Sequence, residues 1–345
     1  MVLCSECFYD EGLKLSAFQM GVENDNLCEN CGSKLGRKLD EARLIQLAHR
    51  FFVWGTLYRC DYGAAPIVQF NQHQKTSIAS STWIQNDIHL FEKVLKIGFF
   101  HYGPRLWMVG EIEPLKELIS ETNRKNVLER VLNEYPTIDF SKDDLFYRIR
   151  INPEKPHVES EYDSPPLEYS GNGRLDSTDF SILYGSQDLQ VCIHECRVSA
   201  EDEIFVATFQ PTRTLKLLDL TAILKEDCTE FESLDMAVHM LFLAGKHSYE
   251  ISRDLSRLAK ENGYDGIAYP SYFSLLRSGG MPFETTYGLS HRLIPQLHEY
   301  EKSKIIQNLA LFGKPLKESK ISVKCINRLV LHTVEYGVHF GPVEY

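Results

Sequence analysis

The sequence predicts an α+β fold in three parts. These are an N-terminal Cys4 zinc ribbon over residues 1–38, a mostly helical middle region over 39–140, and a mixed α/β domain over 141–345. Three observations predict it. Four of the nine cysteines fall in the first 31 residues as two Cys-x2-Cys pairs. Apolar residues between 40 and 135 recur at helical spacing. From residue 141 onward, short β-rich runs and helical patterns follow one another without the regular alternation of a doubly wound sheet.

Composition narrows the function classes. A chain of 345 residues has room for two or three domains and a sizeable core. Its 43% hydrophobic and 25% charged residues are those of a globular protein, not of a disordered tail or a disulfide miniprotein. The net charge of -11 argues against broad binding to phosphate backbones, which needs a cationic field. No window reaches the roughly 18–20 apolar residues of a membrane span. The N-terminus lacks the basic and apolar regions of a secretory signal. A soluble cytoplasmic protein is the expectation, and its cysteines then suggest metal, burial or catalysis before disulfides.

In the ribbon, Cys4-x2-Cys7 and Cys28-x2-Cys31 are 20 residues apart. Two such turns can each place two thiolates on one side, completing a tetrahedral S4 site with Zn–S bonds of about 2.3 Å. Gly32 suits the positive φ of such a knuckle. With all four positions filled by sulfur, the metal is structural. The remaining cysteines, 60, 192, 196, 228 and 325, are scattered.

In the middle region Asp40 suits an N-cap, followed by Leu44, Ile45, Leu47, Ala48, Phe51 and Phe52 at helical spacing, with Gly55 as a stop. Ile88, Phe91, Val94 and Leu95 mark a second helix that closes by Gly98. Val127, Leu128, Val131 and Leu132 mark a third that must end before Pro136. Ile67–Phe70 reads as a strand-like interruption.

From 141 the pattern gives a strand at 145–151, a Pro-, Gly- and Asn-rich loop at 153–173, a strand at 181–184 and a helix at 189–198. Strands at 204–209 and 214–220 follow, then helices at 231–244 and 249–261 closed by Asn262-Gly263. Gly266–Tyr269 is a buried strand, 277–295 an excursion, and 308–312 and 329–334 are late strands.

This last region carries the chemistry. Arg174 lies in a Gly-rich loop, Tyr184 on a strand 10 residues later, and Glu195 on a helix 21 residues after the arginine. Leu189, Cys192, Ile193 and Cys196 form that helix's apolar stripe, which puts Glu195 on its edge. An acid there is a candidate for a raised pKa or a specific partner. Ser271 follows a buried strand and a proline, at a strand terminus where site residues commonly emerge.

In these residues the sequence resembles the RES domain, named for its Arg, Glu and Ser residues and best known from toxins of toxin–antitoxin pairs. The resemblance spans roughly 141–335. It rests on Phe146-Tyr147-Arg148-Ile149, the Gly173-Arg174 box, Leu183-Tyr184, Glu195, Gly263 to Ser271, and Gln307 to Phe312 in matching order and spacing. It implies an ADP-ribosyltransferase-like fold acting on NAD+. Residues 1–138 are similar to the zinc-bearing helical segment ahead of some RES domains. Two departures stand out. Leu175 and Asp176 replace the aromatic and Asn that usually follow Gly-Arg, and the stretch from Ser271 to Asn308 is longer than the family's.

The chemistry implied is cleavage of the nicotinamide–ribose bond, whose transition state is oxocarbenium-like, so stabilising that charge matters most. The resemblance implies Arg174, Tyr184, Glu195 and Ser271 as catalytic, with Glu195 facing the ribose. Arg148, Arg174, Tyr184, Ser271 and Asn308 would bind NAD+, Arg174 through its planar fork and Tyr184 by stacking. The acceptor is open: water makes an NAD+ glycohydrolase, inorganic phosphate a phosphorolase, and a side chain a protein ADP-ribosyltransferase. A toxin or defence role follows, with any antitoxin a separate chain. Two rivals remain: nucleic-acid binding by the ribbon, and a helical ribonuclease using Arg43 and His49, which form R-x5-H.

Overall fold

The structure is a computed structural model; it describes residues 3–60, 63–102, 112–280, 284–286, 289–335 and 337–345. The chain divides into two compact units, Met1–Leu106 with Glu335–Tyr345, and Trp107–Val334.

The first unit combines the cysteine-bearing segment with the beginning of the helical region. Strand β1 (Leu3–Cys4) pairs with β2 (Lys38–Leu39), and helix α1 (Glu11–Met20) lies between them in sequence. Helix α2 (Glu41–Ala48) starts where expected, because the Asp40 side chain accepts the Arg43 N–H at 2.9 Å. It does not stop at Gly55 as an α-helix. It widens into a π-turn over His49–Val53 and tightens into a 3-10 turn over Trp54–Thr56. Gly55 serves a close approach instead, since a Cβ there would lie 2.5 Å from the Gly341 Cα. Two antiparallel pairs follow, β3 (Leu57–Cys60) with β4 (Gly63–Pro66) and β5 (Val68–Asn71) with β6 (Gly98–His101). The region is therefore less helical than its periodicity suggests. Between β5 and β6 runs α3 (Thr82–Leu95). Phe8, Leu44, Phe52, Phe91 and Phe99 are buried together with Cys4, Cys7 and Cys28, so the cysteine segment shares the helices' core.

The second unit takes in helices expected to belong to the first. Helices α4 (Glu113–Ile119) and α5 (Glu121–Glu134) contribute Leu118, Val127, Leu128 and Val131 to the core of the large sheet. Strand β7 (Thr137–Phe140) is one edge of that sheet. The division thus falls near 106 rather than 140, because an amphipathic stripe does not say which core it packs on.

The remaining elements follow in order: β8 (Phe146–Ile151), β9 (Ile182–Ser186), α6 (Leu189–Cys196), β10 (Ile204–Pro211), β11 (Leu215–Asp219), α7 (Leu234–Leu243), α8 (Tyr249–Glu261) and β12 (Gly266–Pro270). After them come α9 (Ser274–Ser278), β13 (Thr285–Thr286), β14 (Leu289–Ser290), α10 (His298–Ser303), β15 (Gln307–Phe312) and β16 (Ile321–Leu329). Among the described residues the sheet has eight strands in the order β16-β10-β8-β9-β15-β12-β11-β7. Only the β11–β12 pair is parallel. Helices α4, α5, α7 and α8 cover one face. The late strand expected at 329–334 lies earlier, at 321–329, paired with β10 across a bulge at Thr208/Phe209. Its polar, half-exposed sequence is that of a sheet edge, which hides it from a hydrophobicity reading.

Candidate active site and metal centre

Strand register builds one end of the sheet into a row of side chains. Residues on a strand alternate between faces. Ala310 and Phe312 pack under the helices, whereas Leu309 and Leu311 face the opposite core, so Asn308 shares the helical face. Asn308 stands opposite Ser186 on β9 and Tyr269 on β12. The next row is Tyr184, Ala310 and Ile267, in which the small alanine separates two larger residues.

Helix α6 follows β9 after two residues, capped by Asp188, whose side chain accepts the Val191 N–H at 2.9 Å. Cys192 is buried under it and donates its thiol to the Tyr147 carbonyl at 3.3 Å. The apolar stripe seats the helix as the periodicity predicts and turns Glu195 toward the row. Glu195 is exposed overall, but its Oε1 accepts from Ser271 Oγ at 2.7 Å and from Asn308 Nδ2 at 2.6 Å. Among the described residues no hydrogen bond reaches its Oε2. Ser271, just past β12, is held in turn. Its Oγ accepts the Phe273 N–H at 3.1 Å and its own N–H donates to the Ile306 carbonyl at 2.9 Å.

Tyr269 lies at the centre. It is 8% exposed, its ring packs against Phe242 at 5.4 Å, and it faces Asn308 across the β12–β15 pair. Burial pushes its pKa up and the nearby Glu195 charge adds to this, while Arg174 and Asn308 pull the other way. Tyr269 has no role among the residues the sequence singles out, because its place depends on which residue of β15 stands opposite.

The Gly-Arg loop is folded around Tyr184. The phenol accepts the N–H groups of Leu175 at 3.0 Å and Asp176 at 3.1 Å, and donates to Asp176 Oδ1 at 3.0 Å. Asp176 Oδ2 accepts the Gly171 N–H at 2.6 Å. A Cβ on Gly173 would lie 2.0 Å from Asp176 Oδ1, so only glycine fits. Asp176, a departure from the family box, is thus the residue that closes this turn. Helix α8 supports it from outside. Ser252 and Ser256 donate to the carbonyls of Arg174 and Leu175, each at 2.8 Å, and Arg253 donates to that of Gly173.

The predicted cations are less open than their chemistry suggested. Arg174 Nη1 donates to the Leu241 carbonyl at 3.1 Å and Nη2 to that of Ala244 at 2.9 Å, closing the end of α7. Its guanidinium lies 4.9 Å from the Tyr249 ring centre. Arg148 is 8% exposed and donates to the carbonyls of Tyr184 and Asp163. Burial, with Arg150 nearby, lowers its pKa to about 9. Arg174, Tyr184, Glu195, Ser271 and Asn308 are therefore gathered around Tyr269, and Arg148 lies buried beneath the Tyr184 backbone.

The four N-terminal cysteines converge. Sγ–Sγ separations are 3.7 Å for Cys4–Cys7, 3.5 Å for Cys4–Cys31 and 3.4 Å for Cys7–Cys28. A tetrahedron with metal–sulfur bonds of about 2.3 Å has edges near 3.8 Å, so the set fits a soft divalent cation. Gly32 has φ 73°, as the knuckle requires. Burial raises Cys28, yet backbone N–H groups of Cys31 and Asn30 outweigh it and bring the thiol down to about 6. Burial holds Cys7 above its ordinary value.

A second cluster, Glu284, His291 and Glu301, has ligand atoms within 4.8 Å of one another. Lys304, 4% exposed, ion-pairs with both carboxylates and already supplies the cation there. The R-x5-H pair does not converge on open space. Arg43 pairs with Asp40, and His49 lies between Trp54 and Phe70, where burial lowers its pKa. Among the described residues no helix is long and apolar enough to cross a membrane.

Part of the chain matches a known family model. Residues 145–298 match the family model of the RES domain, a stretch that includes Arg174, Tyr184, Glu195 and Ser271. Asn308 and β15 lie beyond it. No curated protein matches the sequence. Among solved structures, a chain of the M. tuberculosis MbcT–MbcA toxin–antitoxin complex is similar over 59% of this chain and 92% of its own, at 13% identity and a TM-score of 0.34.

Proposed function

We propose that the RES domain carried by residues 145–298, completed by β15, cleaves the nicotinamide–ribose bond of NAD+ with water or inorganic phosphate as acceptor. The observation that carries this reading is the carboxylate of Glu195, fixed through one oxygen by two neutral donors and, among the described residues, with no hydrogen bond at the other. The leaving nicotinamide takes the bonding pair and becomes neutral, and positive charge develops on the ribose. A fixed anion beside that ribose stabilises the transition state more than the ground state. The neutral donors hold the carboxylate without cancelling its charge, as an ammonium would.

The other residues take supporting roles. Ser271 orients Glu195 by donating its hydroxyl proton to that carboxylate, and the reading does not need it as a nucleophile. Tyr184 shapes the Gly-Arg loop through its phenol. Arg174 has five N–H donors, of which two hold Leu241 and Ala244, and the rest suit a pyrophosphate oxygen. Arg148 supports the Tyr184 strand. The Cys4 set would hold zinc as a structural cross-link of the first unit. The RES match supports a toxin held in check by a separate protein partner.

The test is incubation of the purified chain with NAD+, with and without phosphate, and mass analysis of small products and protein. Free nicotinamide with ADP-ribose, or with its 1-phosphate when phosphate is present, is expected. Intact NAD+ under both conditions would overturn the reading. ADP-ribose attached to protein would replace it with the transferase alternative.

A further inference from the structure

Within this proposed NAD+ site, we infer that Tyr269 and Asn308 act as one positioning unit, in which the phenol selects the orientation of the Asn308 amide and thereby aims Glu195. The inference starts from register. Tyr269 and Asn308 are direct partners on β12 and β15, on the face under the helices. Opposed residues bring their Cβ atoms to roughly 4.5–5.5 Å, within reach of a shared hydrogen bond. Both are buried, at 8% and 4% exposure, so neither side chain has water as an alternative partner.

An asparagine amide presents two N–H donors on one side and a carbonyl acceptor on the other. Turned one way, Asn308 gives Glu195 Oε1 a donor. Turned the other way it sets a carbonyl oxygen against a carboxylate oxygen, and the contact becomes repulsive. Here Nδ2 donates to Glu195 at 2.6 Å, and the Asn308 side chain, facing Tyr269 across the strand pair, acts on the phenol as a donor does and pulls its pKa down. The second N–H, given to the phenol oxygen, would lock the productive orientation. Tyr269 is locked in turn by Phe242, at 5.4 Å with planes 30° apart. Aim passes along the chain Phe242, Tyr269, Asn308, Glu195, with only Glu195 required to face the reacting ribose. Ser271 makes the second, independent hold on the same oxygen.

Tyr269→Phe keeps the ring and its packing and removes only the hydroxyl. Because misplacement of a reacting group by a fraction of an ångström is costly, kcat for NAD+ consumption should fall about ten- to hundredfold. KM and the thermal midpoint should stay within about twofold and a few degrees. Asn308→Ala should lower kcat by at least as much. The double variant should then be no slower than Asn308→Ala, since the phenol acts only through the amide. Independent multiplication of the two losses would overturn the inference, and so would a Tyr269→Phe enzyme with unchanged kcat. If Tyr269→Phe fails to fold, Asn308→Ser with and without Ser271→Ala carries the test. A kcat loss with unchanged KM that deepens when the second hold is removed supports positioning, and a rise in KM alone refutes it. Glu195→Gln is measured alongside. If that variant turns over NAD+ normally, the function assignment fails. If it is inactive while Tyr269→Phe is not, only the positioning unit fails.

Discussion

Two carboxylates of the second unit are held in opposite ways. Glu195, exposed, has one oxygen fixed by a serine hydroxyl and an asparagine amide, both neutral. Glu301, 5% exposed, is bound to the ammonium of Lys304, itself 4% exposed and shared with Glu284. A buried anion survives only with a cation or strong donors, and a cation at contact distance neutralises it. Glu301 is therefore a structural charge. Glu195 lies near solvent, and its two partners bring no charge of their own. The difference between a site and a strut lies in the partner's charge, and the predictions are arranged to test that.

The largest effect is expected at Glu195. Glu195→Gln preserves shape and can still accept from Ser271 or Asn308, but it removes the anion. NAD+ consumption should drop by at least about 10²- to 10³-fold with the unfolding midpoint little changed. A variant retaining most of its turnover would end the distinction drawn here.

The thiolates of the first unit extend the comparison to anions balanced by a metal. Purified chain should carry one zinc, and Cys28→Ser should lose it and lower the unfolding temperature. Cys28 is buried with Leu44 and Phe91, so loss of the cross-link is felt by the helical core. A metal-free chain as stable as the wild type would show the quartet to be four packed thiols.

Next comes Lys304→Met, which leaves Glu301 and Glu284 without their cation. Breaking a buried pair from one side costs about 3–5 kcal/mol, readable by urea unfolding. Turnover per folded molecule should stay within about twofold. Loss of turnover without loss of stability would make the ammonium part of the reaction.

How much of this was legible depends on what fixes each feature. Strands with an apolar face, such as 146–151 and 266–270, and the stripe of 189–196 were readable because burial imposes a period. So were the strand that carries residue 184 and the helix that carries residue 195. Tyr269 was not, because its role depends on which residue of β15 stands opposite, and register leaves no mark on one strand alone. The surroundings of Arg148, expected among the NAD+ contacts, were hidden for a related reason. A cation on a central strand is buried whatever its chemistry, and carbonyls of 163 and 184 take its donors. The strand at 321–329 was displaced in the reading to the more apolar 329–334, since an edge strand need not be hydrophobic on both faces.

The smallest effect tests a third way of holding a carboxylate. Asp87 on α3 is fully buried, and its two oxygens accept the N–H groups of Tyr9 and Asp10, each at 2.8 Å, at the entry to α1. Neither donor carries charge, as at Glu195, but here no solvent helps. Burial therefore wins and raises the pKa to about 6, against the pull of the two N–H groups. The sign follows. Between an unfolded value near 4 and the folded value near 6, the folded chain binds a proton that the unfolded chain has released. Asp87's contribution to stability is thus complete below about pH 4 and is lost as pH rises through about 6. At about 1.4 kcal/mol per unit the change is at most about 3 kcal/mol. Asp87→Asn cannot titrate, so the stability difference between wild type and variant should slope across about pH 4–6 and be flat above it. Urea unfolding at several pH values measures that difference. A constant difference would mean that Asp87 titrates at the same pH in the folded and the unfolded chain, the two backbone donors fully offsetting its burial.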